Sequence, residues 1–199
     1  MARKRILKAL NLGCGEDPKG RGFIPDHLQI VNHDRLAHCS WVDVAHDLRE
    51  IPWPWEDCEF LFILAFDVVG HLPDTVAFMD ECWRILSPGG TLLLHTCNIK
   101  HLEQAWRNPT VCKVFAPDSF AFFDPETNWG RQYIRQITDK YWKHEKVEAH
   151  GLELFVTLTK REIVNAAERA ANVTASMSPE MAEEIIAGPQ LPTRKPKAA

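Results

Sequence analysis

Leu10-Asn11-Leu12-Gly13-Cys14-Gly15-Glu16 decides how the rest of the chain is read. A short apolar run beginning at Ile6 ends abruptly in two glycines one residue apart, as when a parallel strand hands its backbone to a nucleotide-like ligand. Glycine serves there because the chain turns tightly and a Cβ would obstruct a ribose or a phosphate. The same spacing occurs in ordinary strand-end turns, so the stretch alone leaves both readings open.

Downstream, Asp17-Pro18-Lys19-Gly20-Arg21-Gly22 places a proline and two glycines where a doubly wound fold has its first helix. That helix is expected to be very short or absent. Leu28 to Asn32 reads as the second strand and ends at His33-Asp34. Asp34 stands roughly 20 residues beyond the glycines, where such folds hold ribose hydroxyls on a carboxylate. A turn-forming Asp before Arg35 is the competing reading. Trp41 to Ala45 is a third short strand, and Asp47 to Trp55 follows as a stiff loop with two Pro-Trp steps. Its Asp47, Trp53 and Trp55 either wall a base ring or plug the core.

Glu59 to Phe66 is the most apolar run and reads as a fully buried strand. The loop Asp67 to Asp74 then lies at its carboxyl end, the edge where open α/β sheets bind ligands. His71 in that loop is the candidate general base, since an imidazole titrates near neutrality; a histidine held by loop hydrogen bonds is the alternative. From Asp74 as N-cap, Val76, Met79, Cys82, Trp83 and Leu86 recur at helical spacing until Ser87-Pro88-Gly89-Gly90 stops them. Thr91 to Thr96 is the next strand, completing a strand-helix-strand unit that favours a parallel sheet.

Cys97 to Lys140 reads as a long, irregular, aromatic segment suited to covering a substrate, with Trp106, Phe123 and Tyr133 as acceptor-side candidates. Trp142 to Ala149 and Leu152 to Lys160, joined at His150-Gly151, read as an antiparallel closing hairpin. Beyond Arg161, Ile163, Ala166, Ala167, Ala170 and Val173 predict one helix. Ser178-Pro179 and Gly188 bracket a second, and Pro189 to Ala199 reads as a disordered basic tail.

Composition narrows the class. A formal net charge of -4 argues against broad nucleic-acid affinity, although Lys100, Arg107, Lys113, Arg131 and Arg135 leave a local footprint open. The cysteines form no C-x-x-C pair and read as reduced thiols. His33, His38, Cys39 and His46 match no familiar zinc spacing, so no metal is expected. With no secretory signal and no apolar run long enough to span a bilayer, a cytoplasmic protein without membrane contact is expected. A nicotinamide-dependent dehydrogenase fits poorly, because the third glycine of its fingerprint would fall at Pro18.

In order, Leu10 to Gly15, Asp34, Asp47 to Pro52, His71 to Asp74, Trp83 to Gly90, Trp106 to Thr110 and Phe123 to Pro125 resemble the class I S-adenosylmethionine-dependent methyltransferases of the small methyltransferase-domain type. The resemblance covers Ile6 to Arg161. It implies a Rossmann-like, mostly parallel sheet with an antiparallel closing strand, here with a reduced first helix and extra C-terminal helices. The expected division is a methyltransferase-like domain over 1–161 and a helical appendage with its tail over 162–199. S-adenosylmethionine is the implied cofactor. Asn11, Gly13, Cys14 and Gly15 would meet its methionyl part, Asp34 its ribose, Asp47 and Leu48 its adenine, and Phe66 and Asp67 would lie beneath the methionine.

The implied reaction is methyl transfer to a small-molecule or sugar-like acceptor. Asn11, Asp17, Gly70 and Val111 depart from the pattern of the resemblance, in which many members carry an acid, a third glycine is common, a Glu often precedes His-Leu and a His often follows N/D-P-T at those places. The alternative is therefore a catalytically silent fold serving as a binding or assembly module. Self-association, or a partner bound through the C-terminal helices, is the remaining expectation.

Overall fold

The computed structural model describes residues 7–37 and 39–161. Seven strands form one sheet in the order β3-β2-β1-β4-β5-β7-β6. They are β1 (Lys8–Leu12), β2 (Gln29–Asp34), β3 (Val44–Ala45), β4 (Phe60–Phe66), β5 (Leu86–Cys97), β6 (Trp142–His150) and β7 (Glu153–Lys160). The first five run parallel, and β7 inserts antiparallel between β5 and β6. This is the mostly parallel sheet with an antiparallel closing strand that the sequence implies. Among the described residues three α-helices join the strands: α1 (Thr75–Ile85), the single turn α2 (Leu102–Ala105) and α3 (Asn128–Ile137). Among the described residues no helix is long and apolar enough to cross a membrane.

The β4 run F-L-F-I-L-A-F is apolar throughout because both sheet faces receive it. Ile63 and Ala65 join the main core with Leu10, Leu12, Leu92, Leu94, Val156 and Leu158, whereas Leu64 joins Ala9, Ile24 and Leu28 in a smaller cluster. Helix α1 buries Phe78, Met79, Cys82 and Ile85 against the main core. Trp53 and Trp55 are both core residues, packed edge-on against each other, with Phe78 on Trp53 and Phe60 on Trp55.

Asp74 caps α1, its Oδ1 accepting from the Ala77 N–H at 3.0 Å. Asp74→Ala is expected to cost about 1 kcal/mol, which for a chain of this size lowers the melting temperature by about 2–4 °C. Thermal unfolding followed by circular dichroism reads this directly.

The first connection holds only a 3-10 turn at Gly20–Gly22, in line with the proline and glycines there. Three sequence expectations need correction. The third strand, expected over Trp41 to Ala45, is confined to Val44–Ala45, because just ahead of it the Asp43 side chain, rather than a backbone carbonyl, accepts from the Asn32 N–H at 2.8 Å; the Trp41 indole donates to the Gly15 carbonyl at 3.2 Å. The fifth strand, expected from Thr91, begins at Leu86 and carries Pro88-Gly89-Gly90 within it. Leu86 pairs with Phe60 before the register shifts, and Gly90 lies so close to the Ser87 carbonyl that a Cβ would come within 2.8 Å.

The segment Cys97 to Lys140 is not irregular throughout. It contains α3, capped by Thr127 Oγ1 accepting from the Gly130 N–H at 3.0 Å. Gly130 hid this helix from propensity reasoning, yet the fold requires it: a Cβ there would lie 1.8 Å from the Asp124 carbonyl oxygen. The expected C-terminal helices, the tail from Pro189 and the boundary at 161/162 concern residues beyond the described ones.

Candidate functional site

A cavity of about 590 Å³ opens where β1 and β4 end. Its floor is the turn that follows β1. Gly13 and Gly15 adopt φ of +63° and +52°, and a Cβ on Gly13 would strike Val68 Cγ2 at 2.6 Å, whereas a Cβ on Gly15 would point into open space. The turn is held from below by buried Asn11, whose Nδ2 donates to the Asp17 carbonyl at 2.9 Å and to Asn32 Oδ1 at 3.0 Å. Asp17 then accepts from the Lys19 and Arg21 N–H groups, at 3.1 and 2.6 Å.

At one corner the end of β2 meets this turn. Asp34 Oδ2 accepts from the Gly15 N–H at 3.0 Å, and the Cys14 N–H donates to the His33 carbonyl at 2.8 Å. Burial, then the nearby Asp34 charge, pushes the Cys14 thiol up to about 11, so it stays protonated and unreactive near neutral pH. Burial also lowers the His33 imidazole, whose two nitrogens face the Gly13 N–H and the His46 carbonyl, the pairing of a neutral ring.

The other wall is aromatic. The Phe66 ring lies between the Arg21 guanidinium, 3.9 Å from its centroid, and the His95 ring, stacked on it at 3.8 Å. Asp67 follows in a left-handed conformation, φ 56°, that non-glycine residues adopt only at a cost. Its N–H donates to the His95 carbonyl at 3.1 Å, and its Oδ1 lies 3.0 Å from His95 Nδ1. That contact lacks hydrogen-bond alignment, and among the described residues neither ring nitrogen of the buried His95 has a hydrogen-bond partner.

Asp67 also borders a second, water-sized cavity with Gly70, His71, Cys97, Val111 and Lys113. His71 Nδ1 is 3.0 Å from Thr110 Oγ1, and the Gly70 carbonyl accepts from the Cys112 and Lys113 N–H groups at 2.9 and 3.1 Å.

Comparison with known proteins agrees with this geometry. Residues 28–94 match the family described as "Methyltransferase domain". A probable S-adenosylmethionine-dependent methyltransferase of Mycolicibacterium smegmatis is 41% identical over 99 residues, covering 45% of this chain and 37% of that protein. A ubiquinone biosynthesis O-methyltransferase of a Bradyrhizobium species is 31% identical over 104 residues, covering 46% of this chain and 40% of its own length. An S-adenosylmethionine-dependent methyltransferase from Mesorhizobium loti superimposes with a TM-score of 0.57 at 13% identity, over 79% of this chain and 93% of that one. The chain resembles the class I S-adenosylmethionine-dependent methyltransferases, in sequence over residues 28–94 and in fold over its sheet. It spans about two fifths of the length of the curated relatives it matches.

S-adenosylmethionine is the cofactor of this family, and the residues present fit it. The cavity has the volume of a small-molecule site, its glycine floor leaves room that a Cβ on Gly15 would fill, and a carboxylate stands at the corner where β2 ends.

Of the residues singled out for the cofactor, Asn11, Gly13, Cys14, Gly15, Phe66 and Asp67 line this one cavity, and Asp34 joins it through Gly15. Asp47 and Leu48 do not line it. The Asp47 carboxylate is held in a fork by the Arg49 guanidinium, with Nε 2.9 and 3.1 Å from its two oxygens, which keeps its pKa far below the usual carboxylate range. Leu48 packs against the main core, and its carbonyl accepts from the Trp53 indole at 3.1 Å.

Among the acceptor-side candidates, His71 borders the smaller cavity, but Trp106, Phe123 and Tyr133 line neither. Trp106 is 62% exposed, Phe123 is buried in the core, and Tyr133 stacks with Phe122 and Trp129. Sequence reasoning missed Arg21, Trp41, His95 and Lys113. The flanking glycines mark Arg21 and the end of the fifth strand marks His95; nothing local marks the other two.

The departures from the family pattern have physical reasons in this fold. An acid at Asn11 would set a carboxylate against two acceptors, the Asp17 carbonyl and Asn32 Oδ1. Asp17 organises the loop that replaces the first helix. Gly70 lies under the 111–113 segment, where a Cβ would come within 3.2 Å of the Lys113 carbonyl oxygen.

Proposed function

We propose that this protein binds S-adenosylmethionine at the carboxyl edge of the sheet and transfers its methyl group to a small-molecule or sugar-like acceptor. The observation that carries this reading is the junction of Asp34, Gly15 and the open cavity, with the Asp67 wall leading on to the second cavity beside His71. When bound, the cofactor supplies an electrophilic methyl group on a sulfonium, open to in-line displacement. The chain's share of the work is alignment and proton removal. Gly13 and Gly15 allow close backbone approach, and Asp34 accepts from the ribose hydroxyls. His71, with Nδ1 engaged by Thr110, has Nε2 left to take a proton from an acceptor hydroxyl. The six free thiols suit a reducing, cytoplasmic setting.

Isothermal titration with S-adenosylhomocysteine tests the cofactor reading, which fails if no binding is detected at high micromolar ligand. Once an acceptor is found by screening, His71→Gln is expected to lower the methyl-transfer rate about 100-fold while leaving S-adenosylhomocysteine affinity within about twofold. An unchanged rate removes His71 as the base.

A second reading, a silent module that keeps the fold, draws on the Asp47 carboxylate being engaged by Arg49 rather than facing the cavity. It requires cofactor binding without turnover on any acceptor. Turnover eliminates it.

A further inference from the structure

We infer that Arg21 recognises the carboxylate at the amino-acid end of the cofactor, supplying with a side chain the anion-binding charge that a first-helix N-terminus would otherwise offer. The inference rests on the reading of the large cavity as the cofactor site. In most doubly wound folds the strand-1 turn runs into a helix whose free N–H groups and dipole favour an anion. Here that helix is reduced to the 3-10 turn Gly20–Gly22, too short to provide either.

Arg21 sits in that turn and, among the described residues, is the one basic residue in the cavity wall, alongside the acids Glu16, Asp17 and Asp67. Asp17 is committed to the loop backbone, accepting from the N–H groups of Lys19 and of Arg21 itself. Among the described residues no carboxylate forms an ion pair with Arg21. Its guanidinium instead lies over the Phe66 ring at 3.9 Å. A guanidinium whose carbon lies over a ring still has N–H groups to offer a carboxylate in a two-point contact.

The arrangement is held at some cost. Arg21 adopts φ 52° and ψ 23°, the left-handed region that an arginine enters only under constraint. Gly20 before it is at φ +61° in a position where a Cβ would strike Ile24 Cδ1 at 2.7 Å and Leu64 Cδ2 at 2.9 Å. The loop therefore cannot easily relax. Phe66, the platform, is backed by His95 at 3.8 Å, and Phe155 packs on His95 at 4.7 Å. Asp67, next in sequence to that platform, is the complementary acid for an α-ammonium group. A cation and an acid on adjoining parts of one wall match the zwitterionic end of an α-amino acid.

The test compares two ligands that share the thioether nucleoside and differ in the amino-acid end: S-adenosylhomocysteine and 5′-methylthioadenosine. Both are titrated calorimetrically into the full chain, its Arg21→Gly variant and its Arg21→Lys variant. Glycine adopts the φ of position 21 without strain, so the loop keeps its course. Arg21→Gly is expected to weaken S-adenosylhomocysteine about 10- to 100-fold and to leave 5′-methylthioadenosine within about twofold, with Arg21→Lys recovering part of the loss. Equal weakening of both ligands assigns Arg21 a role in loop shape alone and overturns the inference. So does undiminished S-adenosylhomocysteine affinity in Arg21→Gly. Wild-type protein that binds 5′-methylthioadenosine as tightly as S-adenosylhomocysteine overturns this inference only. Wild-type protein that binds neither ligand overturns the cofactor reading and the inference with it.

Discussion

Asp34→Ala is expected to weaken S-adenosylhomocysteine binding about 100-fold, the largest effect on ligand affinity anticipated for any single side chain at the site. A carboxylate that accepts from two ribose hydroxyls forms two charge-assisted hydrogen bonds, each worth about 1.5–3 kcal/mol. Truncation forfeits both. It also removes the acceptor of the Gly15 N–H, 3.0 Å away, and with it part of the turn's anchorage. The pattern across ligands distinguishes this residue from Arg21. Because the ribose is common to both ligands, Asp34→Ala should weaken 5′-methylthioadenosine as much as S-adenosylhomocysteine. Asp34→Asn, which keeps an oxygen for Gly15 but loses the charge, should fall between wild type and alanine. Calorimetric titration of both variants measures this, and wild-type affinity in Asp34→Ala would leave Asp34 as a turn residue only.

Arg84→Ala is expected to destabilise the fold by about 3–5 kcal/mol, the cost of leaving a buried carboxylate without its partner. Glu81, 9% exposed on α1, receives Nε and Nη2 of Arg84 at 2.8 Å each, and the Trp53 N–H at 2.7 Å. The same guanidinium donates to the carbonyls of Trp55 at 2.8 Å and Trp53 at 3.1 Å, tying the Pro-Trp loop to the helix. Its bond to Asp57 adds little, since that carboxylate is 76% exposed. For a chain of this size the melting temperature should fall by about 6–20 °C.

The pH dependence carries the sign of the same interaction. Burial alone would raise the Glu81 pKa, but the Arg84 fork and the Trp53 N–H outweigh it, and the net shift is downward. Wild-type stability from this pair is therefore complete above the ordinary carboxylate range and lost as pH falls through the depressed value. In Arg84→Ala only the Trp53 N–H remains to oppose burial. The Glu81 pKa then rises, and the deficit relative to wild type shrinks toward acid. Urea unfolding at pH 4, 5.5 and 7 reads this trend; a deficit independent of pH would mean that lost packing, not the uncompensated carboxylate, dominates.

These two residues mark how far local reasoning reaches. Asp34 is legible because strand-end position and distance from the glycines are one-dimensional quantities, and the parallel crossover turns that distance into contact with Gly15. Arg84 in the helical pattern reads as an ordinary charged position. Its importance comes from Trp53 and Trp55, about thirty residues earlier, which the fold brings against α1. Asp47 shows the converse. Its place at the end of the third strand suits an adenine pocket, but Arg49, two residues on, captures the carboxylate.

By itself the sequence determined the sheet and its carboxyl edge. The L-N-L-G-C-G turn, the uninterrupted apolar β4, the Asp74-capped helix and the His150-Gly151 hairpin are encoded by periodicity, capping and turn chemistry acting over a few residues. Only the tertiary structure decided what the site is made of. It packed Phe123 into the core, left Trp106 exposed, and closed the 111–113 segment onto Gly70. It also set Arg21 over Phe66 and His95 against Asp67. Those outcomes depend on contacts between residues far apart in the chain, where the energy lies in packing and charge pairing rather than in local preference.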